Sequence, residues 1–268
     1  MRALRWFARG ILLCYAAAVV FTECAPTTAV VDPVLARIRA DGVIRVGFDP
    51  GTLPFTTMID GAAAGFDIDL TRAIAADIGV ETAYIPTGLD AAYDELQQNH
   101  YDIIASAMPY APEQGWRARF SKPYYDNGLV ALARTTAFDP TTDATQPVAV
   151  VLGSDADTYV RRLARTGHPL TVTTVDSTAQ LWEALACGVV DRIIADHSTT
   201  DAMQRADASL QASALLTHAP YVLVLPYDAL YLTDLVDTSL AQMTRDGRLA
   251  AIAARWLTIA PVSCPTGG

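Results

Sequence analysis

The residues of this 268-residue chain that are best suited to chemistry are carboxylates at the ends of predicted elements. Asp196 ends the apolar segment DRIIAD, and Asp155 follows Ser154 in the segment GSDADTYV, where Ser154 is a good residue to begin a helix. Such carboxylates accept hydrogen bonds and attract cations. Asp155 would also occupy the positive end of the helix dipole, where it would repel a ligand anion.

Motifs for nucleophilic and metal chemistry are absent from the sequence. It contains no GxSxG, no phosphate-binding loop and no paired Cys and His. The four histidines are spread along the chain without the spacing of metal ligands. The sequence therefore predicts no metal site, no cofactor and no enzyme.

The overall charge limits the classes of binding partner that the protein is expected to have. The net charge is −10 and the isoelectric point is near 4.7. Nucleic acids and anionic membranes both require a basic face, so neither is predicted as a partner. A hydrophobic content of 51% is enough for one large or two modest cores.

The first 29 residues have the layout of a secretory signal. Arg2, Arg5 and Arg9 precede an apolar run over residues 11–22, which is too short to span a bilayer. Three outcomes are open: cleavage after Ala29, lipidation of Cys24 as the first mature residue, or an uncleaved anchor. Each predicts an extracytoplasmic location for the rest of the chain.

Strands and helices alternate in two successive series. In the first, helices are predicted at PVLARIRADG, GFDIDLTRAIAADIG and AAYDELQQN, and strands at VIRVGF, ETAYIP and YDIIASAM. The second series has strands at PVAVVL, LTVTTV and DRIIAD, and helices at SDADTYVRRLART and TAQLWEALACG. The segment ARTTAFDPTTDATQP between them is predicted to be a connector with no packing face. This pattern predicts two α/β lobes with a ligand cleft at the carboxyl ends of the strands.

The order of the motifs resembles a known family, the extracytoplasmic solute-binding proteins of polar amino-acid importers (family 3). The resemblance covers residues 35–258 and is carried by GVIRVGFDPGTLPF, GFDIDLTRAIAADIGVE, YDIIASAM, FSKPYYDNGLVALAR, VAVVLGSDADTYV, GVVDRIIAD and SLAQMTRDGRLAAIAARWL. It implies a two-lobed type II periplasmic-binding-protein fold, in which each lobe has a mainly parallel sheet flanked by helices.

The family fold also implies the domain boundaries. Residues 35–126 and 226–259 would form lobe 1, residues 127–225 would form lobe 2, and residues 260–268 would be a flexible tail. Two crossover strands are expected near residues 127–132 and 221–225. Lobe closure would trap a solute, which a monomeric receptor would deliver to the membrane permease of an ABC importer.

The resemblance also shows where this sequence departs from the amino-acid clamp of the family. Pro109, Ala111 and Gln114 stand where family members carry two hydroxyl residues and an arginine. Gln114 is either a ligand contact or a solvated residue. Arg117, one helical turn later, either replaces the lost arginine or is a surface residue.

Other family positions complete the predicted site. Thr52 and Leu89 replace two aromatic residues, whereas Phe55 is retained. Asp49 and Met108, at the ends of the first and third strands, are also assigned to ligand binding.

In the second lobe, Ser154 is retained from the family pattern, Asp155 stands where a neutral donor is expected, and Asp196 matches the position that receives the ligand ammonium. Asp155 and Asp196 each have a structural alternative, because Asp155 suits a first helical turn and Asp196 suits a helix cap.

Four more residues are interpreted structurally. Tyr124 and Tyr125 are assigned to hinge packing, and Asp67 and Asp69 to helix capping. Cys187 and Cys264 lack CxxC spacing and fall in regions expected to lie far apart, so two unpaired thiols are predicted.

The functional hypothesis is a receptor for a small polar solute, amino-acid-like and possibly cationic or amine-bearing. Two alternatives stay open: a degenerate sensor or interaction module, and a dehydratase-like enzyme on the same scaffold.

Overall fold

The computed structural model describes residues 32–143, 146–168 and 170–264. Within these ranges the chain forms eight α-helices, two five-stranded sheets and two two-stranded pairs. None of these helices has the length and apolar character needed to cross a bilayer. The predicted leader, including Cys24, lies outside the described residues.

The first lobe contains the sheet β4-β1-β5-β14-β6. Its elements from the first part of the chain are α1 (Pro33–Asp41), β1 (Val43–Phe48), β2 (Thr57–Ile59), β3 (Ala62–Ala64), α2 (Phe66–Ile78), β4 (Glu81–Pro86), α3 (Ala92–Gln97), β5 (Ile103–Ile104), a 3-10 turn (Pro112–Gln114) and β6 (Ala118–Phe120). The C-terminal part of the chain returns to this lobe with β14 (Val224–Pro226), α7 (Leu230–Asp246) and α8 (Arg248–Trp256).

The second lobe contains the sheet β10-β9-β11-β8-β12. Its elements are β8 (Leu129–Ala133), β9 (Val148–Val151), α4 (Asp155–Arg165), β10 (Val172–Val175), α5 (Thr178–Ala186), β11 (Arg192–Asp196), α6 (His197–Ala206) and β12 (Gln211–Leu215).

Each sheet has one reversed strand. In the first sheet β14 is antiparallel to both of its neighbours, and in the second sheet β8 is. The other four strands of each sheet run in a common direction, which confirms the predicted mainly parallel α/β architecture. In both sheets the reversed strand is the one that the chain enters directly after passing between the lobes.

A short antiparallel ribbon joins the lobes. It consists of β7 (Tyr125–Asp126) and β13 (Pro220–Tyr221), with Pro220 opposite Asp126. The crossovers were expected near residues 127–132 and 221–225, and the ribbon lies within a few residues of both segments, whose later residues belong to β8 and β14. A family alignment locates the connection between lobes only to within a few residues, whereas backbone pairing defines its ends.

The predicted helix boundaries reflect local chemistry. Asp32 caps α1 by accepting a hydrogen bond from the Leu35 amide at 2.9 Å, and its other oxygen accepts one from the Leu232 amide at 3.0 Å. Gly42 ends α1 in the left-handed conformation with φ of 69°, as its position in the sequence predicts. The same carboxylate therefore begins α1 and anchors α7.

The segment ARTTAFDPTTDATQP, which was predicted to be a connector without a packing face, joins β8 to β9 within the second lobe and does have a packing face. Phe138 is buried in the core of the second lobe, and the guanidinium of Arg192 lies 4.6 Å from its ring centroid. The segment is rich in Thr, Asp and Pro, so its composition predicted no packing face. The single aromatic residue Phe138 nevertheless anchors it to the core.

The prediction of unpaired thiols was wrong, because Cys187 and Cys264 form a disulfide with a Cα–Cα distance of 5.3 Å. Residues 260–264, the described part of the tail predicted to be flexible, lie against the second lobe. The indole nitrogen of Trp182 donates a hydrogen bond to the Ala260 carbonyl at 3.0 Å. The error arose from assuming that sequence-distant regions are distant in space.

Removal of this disulfide tests its contribution to stability. The bond closes a loop with a sequence separation of 77 residues. The double variant Cys187→Ser/Cys264→Ser is expected to lose about 2–4 kcal/mol of unfolding free energy, because the unfolded chain regains loop entropy. Urea denaturation monitored by circular dichroism measures the loss. The variant Ser263→Ala serves as the control for a change in the tail, and an unchanged midpoint in the double variant would contradict the expectation.

Candidate functional site: a carboxylate-lined cavity in the second lobe

A cavity of about 230 Å³ lies at the carboxyl ends of the parallel strands in the second sheet. Val151 ends β9 and Asp196 ends β11, and both line it. This is the edge at which open α/β sheets bind ligands. The lining residues are Asn127, Leu129, Val151, Ser154, Asp155, Ala156, Thr178, Leu181, Ile194, Ala195, Asp196, Thr199, Ala219 and Tyr221.

Three helices direct their N-termini at this cavity. Ser154, Ser177 and Asp196 cap α4, α5 and α6, and each side chain accepts a hydrogen bond from a backbone amide in its helix. Residues in the first turn of each helix line the cavity. Helix N-termini carry partial positive charge, which stabilises nearby carboxylates.

Asp196 is both a helix cap and a cavity wall. Its Oδ1 accepts hydrogen bonds from the Ser198 hydroxyl at 2.7 Å and the Thr199 amide at 2.9 Å, and its Oδ2 accepts one from the Thr199 hydroxyl at 3.1 Å. The structure therefore shows the capping role that the sequence left open. The bonds also fix the orientation of the carboxylate at the cavity.

Asp155 is the less restrained of the two carboxylates. It occupies the first position of α4, where its charge is favourable to the helix dipole, and its side chain is exposed. Among the described residues its carboxylate makes no hydrogen bond or ion pair, although it lines the cavity. It is thus available to a ligand cation.

Two polar residues at the ribbon were missed by the sequence reasoning. Asn127 donates from Nδ2 to the Tyr221 hydroxyl at 2.9 Å, and its Oδ1 accepts from the Ser198 amide at 2.9 Å. Burial raises the pKa of Tyr221, and the neighbouring carboxylates Asp196, Asp67 and Asp155 raise it further. Asn127 lies inside a predicted crossover segment, so a polar side chain at the hinge was a signal that could have identified it.

A second cavity of about 230 Å³ adjoins the first. The two share Asn127, Leu129, Asp155 and Ala219, so Asp155 lies at their boundary. Arg162 also lines the second cavity, with its guanidinium 5.4 Å from the Tyr159 ring centroid. The second cavity therefore has a basic side chain among its lining residues, whereas the first has none.

Comparison with known protein families identifies the family of this chain. Residues 44–259 match the sequence profile of the bacterial extracellular solute-binding proteins, family 3. This chain belongs to that family.

Individual relatives agree with the family assignment. The family 3 chain is 24% identical over 229 residues to the L-cystine-binding protein TcyJ of Escherichia coli (strain K12), with 83% of this chain and 85% of TcyJ covered. It is 29% identical over 233 residues to the membrane-bound lytic murein transglycosylase F of Yersinia pestis (strain Pestoides F), but spans only 47% of that enzyme.

Among solved structures, an ancestral cationic amino acid solute binding protein has a TM-score of 0.63 and 27% identity, with 84% of this chain and 99% of that chain covered.

Gln114 and Arg117 of this family 3 protein bond to each other away from the carboxylate-lined cavity. Arg117 Nε donates to Gln114 Oε1 at 2.7 Å, and Arg117 also forms an ion pair with Asp94 at 2.8 Å. Its guanidinium lies 4.6 Å from the Tyr93 ring centroid, and the side chain lines a separate cavity with Trp116. The structure does not bring an arginine to the carboxylates of the second lobe.

The first-lobe residues assigned to the site have mainly local roles. Asp49 Oδ1 accepts a hydrogen bond from the Gly51 amide at 2.7 Å, and the Thr52 carbonyl accepts one from the Phe55 amide at 2.9 Å. Leu89 is 40% exposed. Met108 is buried and accepts a backbone hydrogen bond from the Val222 amide. None of these residues lines the carboxylate cavity.

Phe55 instead belongs to an aromatic cluster beneath the ribbon. Its ring centroid lies 5.1 Å from that of Tyr221, 5.5 Å from that of Phe66 and 5.8 Å from that of Tyr125. Tyr124 stacks on Phe66 at 5.9 Å. The assignment of Tyr124 and Tyr125 to hinge packing is confirmed.

The capping prediction for Asp67 and Asp69 was wrong. The N-cap of α2 is Gly65, without a side-chain hydrogen bond. Asp67 is fully buried and accepts a hydrogen bond from the Ala107 amide at 2.6 Å, whereas Asp69 accepts from the indole of Trp256 at 2.7 Å. Both carboxylates connect the start of α2 to distant segments.

Burial raises the pKa of Asp67 to about 7, and the Ala107 amide and the Tyr124 hydroxyl offset only part of this effect. The ordinary value is 3.8, so the folded state holds this proton more tightly than the unfolded chain. The stabilisation from protonated Asp67 is complete below about pH 4 and is lost as pH rises through about 7.

The variant Asp67→Asn is expected to reduce this dependence of stability on pH. Wild type should lose up to about 4 kcal/mol of unfolding free energy between pH 4 and pH 8 through this group, because one pKa unit corresponds to about 1.4 kcal/mol. Urea denaturation at successive pH values measures the slope. Asp90→Asn, an exposed loop change, should keep the slope of wild type, and an equally steep slope in Asp67→Asn would contradict the assignment.

Proposed function

We propose that this family 3 protein is the extracytoplasmic receptor of an ABC importer for a small, amine-bearing polar solute. The observation that carries the proposal is the composition of the carboxylate cavity. Asp155 and Asp196 line it, and among its described lining residues there is no Lys, Arg or His. The solute would bind there, and lobe closure about the ribbon would bring the first lobe over it.

Charge complementarity selects the solute class. A ligand ammonium between Asp155 and Asp196 would form charge-assisted hydrogen bonds, which are about twice as strong as neutral ones. A ligand carboxylate buried beside them without a cationic partner would cost several kcal/mol, and each 1.4 kcal/mol is tenfold in affinity. Simple anions are therefore rejected by orders of magnitude.

The helix ends leave a place for an acid group on the same solute. Asp155 and Asp196 already occupy the N-termini of α4 and α6, whereas α5 has no acidic residue in its first turn. Thr178, at the start of α5, lines the cavity. An amino-acid-like solute would direct its ammonium to the two carboxylates and its own carboxylate to the N-terminus of α5.

The relatives support the same chemical class. One is named for binding L-cystine and another for binding cationic amino acids, and all of these compounds carry ammonium groups. For the lytic transglycosylase, less than half of the enzyme is matched, so its activity is not carried over to this chain.

Calorimetric titration tests the solute class. Arginine, lysine, cystine and putrescine form the amine-bearing panel, with glutamate and succinate as acidic compounds. At least one amine-bearing compound is expected to bind with micromolar affinity or better, and glutamate and succinate are expected not to bind. Micromolar binding of glutamate without binding of any cationic compound would contradict the proposal. A pocket that has lost its ligand would show no thermal shift with any compound.

Asp155→Asn tests the carboxylate directly. With the best amine-bearing compound, the affinity is expected to fall by about tenfold to a hundredfold, the range for loss of one charge-assisted hydrogen bond. Glu183→Gln makes the same charge change at an exposed position of α5 outside the cavity lining and should leave the affinity within about twofold. Equal effects of both variants would show that Asp155 acts only through overall charge.

Arg117→Gln tests the alternative clamp. Because Arg117 is paired with Asp94 and Gln114 and lines a different cavity, this variant is expected to retain the affinity of wild type within about twofold. Isothermal titration of the folded variant with the same compound measures it. A tenfold loss would mean that Arg117 contacts the solute in the closed state.

A further inference from the structure

The chain passes between the lobes a third time, after the last helix. Leu257 is buried in the core of the first lobe. Ile259, only two residues later, packs against the core of the second lobe. Thr258, between them, is exposed. This passage is separate from the ribbon, which is formed by β7 and β13.

The first-lobe end of this passage is firmly held. Asp69, at the start of α2, accepts hydrogen bonds from the Arg255 guanidinium at 2.9 Å and from the Trp256 indole at 2.7 Å. The Leu257 amide donates to the Ala253 carbonyl at 2.8 Å. The end of α8 is thus attached to α2 directly before the chain leaves the lobe.

The second-lobe end is held by packing and by a covalent bond. Trp182 on α5 donates to the Ala260 carbonyl, and Val262 packs against the same core as Ile259. Cys264 is then bonded to Cys187, the C-cap residue of α5. If residues 258–263 detach from the second lobe, the disulfide keeps them close to α5, so that they rebind in an intramolecular step.

We propose that residues 258–264 form a strap that limits opening of the two lobes and holds α5 in the position at which its first turn lines the solute cavity. The three residue steps from Leu257 to Ala260 span at most about 11 Å when extended. Wider opening at this point requires the packing to detach, and the seven steps to Cys264 then set a limit of about 25 Å.

The strap would act on solute capture through populations. A solute that binds only the closed state has a weaker apparent affinity when many molecules are open. The apparent Kd is the intrinsic Kd divided by the fraction of molecules that are able to bind. By excluding widely open states, the strap raises that fraction. This consequence rests on the proposed function, whereas the restraint on opening does not.

Small-angle X-ray scattering and hydrogen exchange of ligand-free protein test the restraint. In Cys187→Ser/Cys264→Ser, and in wild type reduced with dithiothreitol, the radius of gyration is expected to increase. Amides of α5 are expected to exchange about tenfold faster or more. Trp182→Phe keeps the disulfide but removes the hydrogen bond to Ala260, so its effect on α5 exchange should be intermediate.

Val236→Ala separates the strap from general loss of stability. Val236 is buried in α7 of the first lobe, so this variant is destabilised while the strap is intact, and its radius of gyration should match wild type. An unchanged radius and unchanged α5 exchange in both the double variant and the reduced protein would overturn the proposal. The proposal would also be overturned if Val236→Ala changed the radius of gyration and α5 exchange as much as the double variant does. Both readouts are made without solute, so failure to find a ligand does not affect them.

Discussion

The pairing of β7 with β13 is the constraint on which the rest of this architecture depends. Each strand is two residues long, and each leads into the reversed strand of the sheet that follows it. Such a short ribbon has little stability of its own. The aromatic cluster of Phe55, Phe66, Tyr124, Tyr125 and Tyr221 supplies the apolar contact beneath it, so the two lobes are positioned by packing as well as by backbone pairing.

The ribbon also connects the hinge to the cavity. The ring of Tyr221 packs against Phe55 in a T-shaped arrangement, its hydroxyl accepts a hydrogen bond from Asn127, and both Tyr221 and Asn127 line the cavity. Asn127 Oδ1 in turn accepts a hydrogen bond from the Ser198 amide in α6. A solute bound at the proposed site would therefore contact residues that belong to the hinge, where ligand occupancy would bias lobe closure.

The electrostatic character of the cavity results from opposing local effects. Three helix N-termini supply positive potential, and carboxylates at two of them supply full negative charges. Asp196 is fixed by its cap bonds, whereas Asp155 is free within the described structure. The helix ends, which would favour an anion in a neutral site, instead stabilise the protein's own carboxylates, and this is the basis for proposing an amine-bearing ligand.

The sequence alone determined the α/β class, the two series of strands and helices, and the positions of Ser154, Asp155 and Asp196 at the ends of elements, because hydrophobic periodicity and capping chemistry are local. Tertiary structure decided which side chains meet. It paired Arg117 with Gln114 and Asp94, buried Asp67 against Ala107, and joined Cys187 to Cys264 across 77 residues. The disulfide depends on the chain returning to the second lobe after the last helix, and the burial of Asp67 and the Arg117–Asp94 ion pair depend on how segments of the first lobe pack together. No periodicity within a segment records the position of a segment that is distant in sequence.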